Sequence, residues 1–323
     1  MNNIEISIIL PVYNVEKYLD DCLDSIAQQD NSSYEILAID DGSTDNGLQI
    51  LNYRAQKDSR IRVFSQRNKG VASARNVGLR NAIGQYVLFV DGDDLLCPTA
   101  LSALHEIIEK NNPDIVSFGL MPFSETLSTS ADEGNSQKIF QINKQQFFDL
   151  IYGRGLKTKY PISGFACTKI FKRALLHDQF FNENLKLHED ENFFANLALI
   201  LPENARILVL DAPLYGYRER ATSLVHTHNL VRLQNLYSSR RAIHRICPEN
   251  SKQKSTAHQA RLEALIKLMR YSLQHGRHGG FKLFRRIVLS EPKLPIRVKL
   301  TYFLGLRYAR NRAINRARKK RNG

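Results

Sequence analysis

Cysteine is scarce in this chain. Cys22, Cys97, Cys167 and Cys247 are scattered through 323 residues with no CxxC pair, which argues against a zinc ribbon or a disulfide framework and suits a reducing compartment. Long apolar runs are missing too, since none reaches the roughly 18 to 20 residues that span a bilayer. The stretch Ile4 to Val12 has neither the basic start nor the small-residue cleavage site of a signal peptide, so the chain is expected to stay in the cytoplasm. No GxGxxG follows that stretch and no GxxxxGKS or GxxxxGKT occurs anywhere. Dinucleotide binding and P-loop hydrolysis therefore lack their fingerprints.

Acid is nearly absent from one end. The formal net charge is +14, and residues 271–323 account for it, with 15 Lys and Arg against the single acid Glu291. Residues 1–270 are neutral overall. A block of one sign binds a polyanion, either an anionic membrane or nucleic acid, or else remains a solvated end. Its basic residues do not separate cleanly from Leu300, Phe303 and Ile314 on a helical wheel, so it is no ideal amphipathic helix. Long Arg and Lys stems snorkel, however, and Tyr302, Phe303 and Tyr308 suit a lipid–water interface. The expectation is peripheral, reversible attachment to the inner face of the cell membrane, with no nucleic acid partner.

What is present is a globular composition, 43% hydrophobic, with short β-rich runs at residues 6–13, 34–41, 61–66, 86–92 and 114–119. Segments of helical period lie between them. Leu19, Cys22, Leu23 and Ile26 make an apolar stripe after the first run, with Asn14 as its expected N-cap. Further helices are predicted from about Thr44, from Val71 to Ala82, and after Pro98. This alternation predicts parallel strands with helices between them. Residues 120–145 are polar and rich in small side chains, and read as a loop or hairpin between two halves, 1–120 and 121–225. Residues 226–323 read as helical, on stripes at Leu233, Leu236, Tyr237, Ile243 and at Leu262, Leu265, Ile266, Met269, Leu273.

Two acidic clusters each end an apolar run, at Asp40-Asp41-Gly42 and at Asp91-Gly92-Asp93-Asp94. Carboxylates at the rim of an open α/β sheet grip a metal or a nucleotide without placing uncompensated charge in the core. In the second cluster the glycine lets a turn present two carboxylates to one cation. Hard oxygen donors with no His or Cys beside them favour Mg²⁺ or Mn²⁺ over zinc. The alternative is a turn whose acids only cap the next helix. At the first cluster, Asp40 or Asp41 can accept from a base N–H or a ribose hydroxyl, while Thr44 and Asp45 read as helix caps.

The runs IILPVYN (8–14), DDGSTD (40–45), NKGVASARNVG (68–78) and VDGDD (90–94), in this order and spacing, resemble the family 2 inverting glycosyltransferases. TKIFKR (168–173), LHEDENFF (187–194) and LYGYRERATS (214–223) resemble later blocks of the bacterial surface-polysaccharide members. The resemblance implies a GT-A fold, a three-layer α/β/α sandwich on a mainly parallel sheet over 1–225, followed by the helical region. It implies that Pro11, Val12 and Tyr13 pack around the nucleotide base and that Asp41, with Asp40 beside it, binds that base. Asp91 and Asp93 fall on the metal-binding DxD, and Arg75 and Asn76 border the donor. Asp190 takes the position of the catalytic base, with Glu189 as its neighbour, and Arg218 that of a late-loop cation for the diphosphate, a task Lys169 also fits.

The implied reaction moves a hexose or N-acetylhexosamine from a nucleotide diphosphate sugar, commonly uridine-linked in the family. The implied acceptor is a hydroxyl of a lipid-linked or growing surface glycan. Three acids in a row at Glu189 to Glu191 are alternatively an exposed first helical turn that favours the helix dipole. A nucleotidyltransferase would need a Gly- and basic-rich loop near the first run, and Ile8 to Lys17 offers none. A nucleic-acid-binding protein acting through its tail leaves both acidic clusters unexplained. A pseudoenzyme that binds donor without turnover fits the same residues.

Overall fold

A computed structural model describes residues 4–30, 33–124, 138–162, 164–176, 179–220 and 230–274. The chain divides into two compact units, 1–223 and 224–323. In the first, β1 (Ile6–Val12), β2 (Tyr34–Asp40), β3 (Ile61–Ser65) and β4 (Tyr86–Phe89) pair in parallel in the order β3-β2-β1-β4. These four runs are the ones that alternate with helices, and their parallel pairing follows from that alternation. Beyond β4 come β8 (Lys169–Lys172), β6 (Ile115–Phe123), β9 (Ile207–Arg218) and the two-residue β5 (Leu95–Leu96), with β7 (Ile139–Ile142) also on β9. β8 is antiparallel to both its neighbours, whereas β6 and β9 are parallel to each other.

Alternation along β1 sorts the two faces. Ile6, Ile8, Leu10 and Val12 join a core with Leu19, Cys22, Leu23 and Ile26 of α1 (Glu16–Ala27), Leu51 of α2 (Gly47–Lys57) and Leu101 and Leu104 of α4 (Ala100–Asn111). Ile9 faces the other way, onto α3 (Val71–Asn81). A Cβ at Gly78 would stand 2.4 Å from the Ile9 side chain, so only glycine lets helix and strand approach this closely. On that second face Phe89, Phe171, Phe181, Phe193 and Phe194 form a continuous aromatic cluster that seats α6 (Glu189–Ile200). Helices thus cover both faces of a mostly parallel sheet, the three-layer architecture expected.

Several local expectations are corrected. Asn14 does not cap α1: the cap position is Val15, and Asn14 has a left-handed φ of 53°. Its Oδ1 instead accepts from the Thr44 N–H at 2.8 Å. α2 begins at Gly47, not near Thr44, and the two helix starts serve each other. Asp45 accepts from the Glu16 N–H at 2.9 Å, and Glu16 accepts from the Asn46 N–H at 2.8 Å, so orphan donors are met across the sequence. β6 runs on to Phe123, because β9 follows it through an irregularity in register near Gly119. Within 120–145 the described residues hold the end of β6, all of β7 and the start of α5 (Lys144–Ile151), which opens with an Asn143–Gln146 capping box.

In the second unit α7 (Leu230–Ile246) packs on α8 (Lys252–Gln274). The predicted stripe Leu233, Leu236, Tyr237 and Ile243 is buried. Among the described side chains of α8 the buried apolar ones are Ala257, Ala260, Ala264, Leu265 and Leu268, with Arg261 buried beside them. Leu262 and Ile266 are only half-buried, so the face sits to one side of the expected stripe, where alanines let the helices come together. No helix among the described residues is long and apolar enough to cross a membrane. The basic tail from residue 275 onward lies outside them.

Candidate active site

Both acidic clusters sit at the carboxyl ends of parallel strands, β2 and β4, on either side of β1, beside the crevice where open α/β sheets take their ligands. Asp40 ends β2 and Asp41 follows it, each almost fully buried. Asp40 accepts from the Ser43 N–H at 3.1 Å and the Ser65 hydroxyl at 3.1 Å. Asp41 accepts from Gln66 Nε2 at 2.7 Å and from the N–H groups of Lys69 at 2.9 Å and Gly70 at 2.7 Å. Gly42 turns the chain away with φ +72°, where a Cβ would lie 2.8 Å from the Asn68 nitrogen. Asp41 therefore fixes the loop leading into α3. Along β1, Val12 is buried and Tyr13 is half exposed.

The second cluster leaves β4 as a tight turn closed by the Asp94 N–H to the Asp91 carbonyl at 3.0 Å. Asp94 points inward, accepting from the Tyr215 hydroxyl at 2.7 Å and the Arg218 N–H at 2.8 Å. Burial first, then the charges of Asp93 and Asp91, push its pKa up to about 8. Asp93 is also raised, by burial and by Asp91, and pairs with Arg220. Asp91 is more open and pairs with Arg75 Nη2 at 2.9 Å. Three carboxylates crowded into one turn, with Asp93 and Asp94 held above the ordinary range and Asp91 and Asp93 turned toward arginines, are the hard-oxygen set that a divalent cation satisfies. The residues fit such an ion.

Arg75 joins this cluster to the far part of the chain. It is 4% exposed, and its other terminal nitrogen reaches Glu189 Oε1 at 2.8 Å. Burial works against its charge, yet Asp91, Glu189 and Asp190 outweigh it and hold the pKa above the ordinary value. Glu189 opens α6 but is buried, which contradicts an exposed first turn. Asp190, half-buried beside it, accepts from the Glu191 N–H at 2.7 Å. Burial and then Glu189 raise its pKa to about 7, against the pull of Arg75. An ordinary carboxylate titrates near about 4, and the difference is desolvation plus a like charge one residue away.

The predicted residues divide by placement. Asp91, Asp93, Arg75, Glu189 and Asp190 come together, with Arg75 as the link. The Asn76 amide engages the backbone of Phe181 and the Glu183 carboxylate, so it holds the loop before α6. Lys169 is fully buried, donating to the Phe165 carbonyl and the Thr168 hydroxyl, which corrects its expected approach to a diphosphate. Arg218 is buried under Asp93, giving Nε to its carbonyl at 2.9 Å and Nη2 to Asp21 at 3.2 Å. The cation on the Asp93 carboxylate is Arg220, which the motif reading passed over. Its signal was its position two residues after Arg218, on the same side of an extended run.

With this geometry in view, the family is plain. The profile described as Glycosyl transferase family 2 matches residues 7–175, and the chain belongs to that family. Among its relatives are an uncharacterized glycosyltransferase, EpsJ of Bacillus subtilis, 34% identical over 68% of this chain and 62% of that protein, and the glycosyltransferase GlyG of Streptococcus pneumoniae, 29% identical over 69% and 73%. The chain therefore spans a little under two thirds of one and about three quarters of the other. Among solved structures, residues 1–349 of Staphylococcus aureus TarS in complex with UDP-GlcNAc superpose with a TM-score of 0.61 at 25% identity, covering 94% of this chain and 79% of that one.

Proposed function

We propose that this glycosyltransferase is an inverting enzyme that moves a hexose or N-acetylhexosamine from a UDP-linked donor to a hydroxyl of a lipid-linked or growing cell-surface glycan. The observation that carries the reading is Arg75, which ties a strand-end acid, Asp91, to Glu189 at the start of α6. Donor-side and acceptor-side acids so far apart in sequence share one buried cation. The donor preference rests on TarS, a poly(ribitol-phosphate) β-N-acetylglucosaminyltransferase 32% identical over 65% of this chain, whose structure holds UDP-GlcNAc.

In this reading Pro11, Val12 and Tyr13 flank the base, and the Asp40–Asp41 turn receives the nucleoside. Asp91 and Asp93 would hold Mg²⁺ or Mn²⁺, which when bound supplies Lewis-acid assistance to the departing diphosphate. Arg220, displaced from Asp93, and Arg218 beneath it contribute positive charge on the same side. Asp190 accepts the proton of the acceptor hydroxyl as that oxygen bonds the anomeric carbon and the bond to the diphosphate oxygen breaks on the opposite face. Its raised pKa makes it a stronger base than an ordinary carboxylate. Glu189 holds Arg75 and keeps Asp190 basic by repulsion. The basic tail brings the enzyme to the anionic inner leaflet, where a lipid-linked acceptor is reached from the cytoplasm.

Release of nucleoside diphosphate from a panel of nucleotide sugars, with Mn²⁺, Mg²⁺ or EDTA, tests the reading. One donor is turned over, EDTA and Asp93→Ala abolish release, and Asp190→Asn still binds donor but turns it over roughly 10²- to 10⁴-fold more slowly. Failure of every donor to bind with either metal overturns it.

A further inference from the structure

A second group of metal-ligating side chains lies at the other end of the sheet. Glu5, just before β1, and His105 and Glu109 of α4 place a carboxylate oxygen, a ring nitrogen and a second carboxylate oxygen within 4.8 Å of one another. They line a cavity of about 340 Å³ together with Gln85, Tyr86 and Asn112. His105 and Glu109 are four residues apart, so one helical face carries both. Glu5 is 9% exposed and its backbone is pinned on both sides, its N–H to the Ser33 carbonyl at 2.9 Å and its carbonyl to the Tyr86 N–H at 2.8 Å. The carboxylate is held in place by the sheet, not by the ligand.

His105 Nδ1 stands 3.0 and 2.8 Å from the two Glu5 oxygens. One proton occupies that space, and a divalent cation bonded to the same atoms takes its place. Ligands on opposite sides of a cation with bonds of about 2.0 to 2.2 Å stand roughly 4.4 Å apart, and adjacent ones closer, which the observed separations accommodate after small side-chain rotations. An imidazole nitrogen with two carboxylates favours Zn²⁺ and the later first-row ions over Mg²⁺. The cavity leaves room for water to complete the coordination. We propose that Glu5, His105 and Glu109 form a zinc-class site that ties the start of β1 to α4. From Glu5 to Val12 is seven strand residues, about 23 Å, so this site is separate from the acids at the strand ends and acts on stability rather than on transfer.

Calorimetric titration of the full-length protein with Zn²⁺, in excess Mg²⁺ to occupy the strand-end acids, tests this. Wild type and Asp93→Asn each bind one Zn²⁺ tightly and gain thermal midpoint as it is added. Replacing a ligand costs at least the roughly 10- to 100-fold in affinity lost when a residue that only orients a ligand is changed. His105→Ala and Glu109→Gln therefore each weaken binding by tenfold or more and lose the thermal shift. Glu109 is exposed, so its variant folds and decides the matter even where His105→Ala does not. Co²⁺ substituted at the site gives a visible absorption band that His105→Ala removes. Binding weaker than about 1 mM in wild type, or Zn²⁺ retained undiminished by Glu109→Gln, overturns the proposal.

Discussion

Among single residues, Asp190 makes the sharpest demand. A carboxylate accepts a proton only when ionised, and burial with Glu189 beside it raises its pKa to about 7. At pH 6 most of it is protonated and unable to act. kcat/KM, which reports groups of the free enzyme, is therefore expected to rise about tenfold per pH unit below neutrality and to level off above pH 7. Loss of a general base lowers the rate by roughly 10²- to 10⁴-fold, so Asp190→Asn falls by that order and its residual rate loses the acid limb while donor affinity persists. A limb near pH 4 would mean that the pocket does not desolvate Asp190. The fork of Arg75 is equally specific, since its two nitrogens serve acids on different elements and a single ammonium cannot span both.

Between elements, the turns after the strands carry the organisation. Asp41 takes three hydrogen bonds, two from successive backbone N–H groups at the start of α3. Removing a buried acceptor leaves its donors unmet, at about 1–3 kcal/mol, so Asp41→Ala is expected to lower the unfolding free energy from urea titration by that amount, and the midpoint with it, with no nucleotide present. An unchanged midpoint would free Asp41 from its structural task and leave ligand binding alone. The strand ends themselves were legible: apolar runs at 6–13, 34–41 and 61–66 became β1, β2 and β3 within one residue. Local pattern carried this because β1 and β2 are buried on both faces and read as continuous apolar runs, while β3, at the sheet edge, shows only Ile61 buried. It failed where partners come from far away. Asn14 looked like a cap, but Asp45 supplies the bond to α1. Glu189 reads as the neighbour of the base, with a solvated first turn as the alternative; the alternative fails because Arg75 reaches it from 114 residues away. The strand-end acids at Asp91 and Asp93 were readable from spacing, and the resemblance names Arg75 beside the donor, whereas Arg220, 127 residues from Asp93, was not legible.

Across the whole molecule, charge is segregated. Residues 1–270 balance, and the +14 lies in 271–323, all of it beyond the described residues. The balance over 1–270 hides a division: residues 1–223 hold 22 basic and 29 acidic side chains, so the first unit has no net attraction for an anionic surface, and any such attraction is borne by the second unit and above all by the tail. Basic residues near an anionic leaflet contribute about 1 kcal/mol each, and the attraction decays within a Debye length of about 8 Å at physiological salt. Not all 15 basic side chains can reach the surface together, yet a handful suffices for reversible attachment, and Tyr302, Phe303 and Tyr308 add apolar contact that salt does not screen. The full chain is therefore expected to sediment with phosphatidylserine vesicles at low salt and to be released progressively as salt rises. Replacing Arg316, Arg318, Lys319, Lys320 and Arg321 by glutamine weakens sedimentation and flattens the salt dependence, while donor hydrolysis in solution is unchanged because that chemistry sits on the sheet. Equal sedimentation of the glutamine variant would place the membrane contact elsewhere, and stronger retention on RNA than on vesicles at matched salt would assign the tail to nucleic acid.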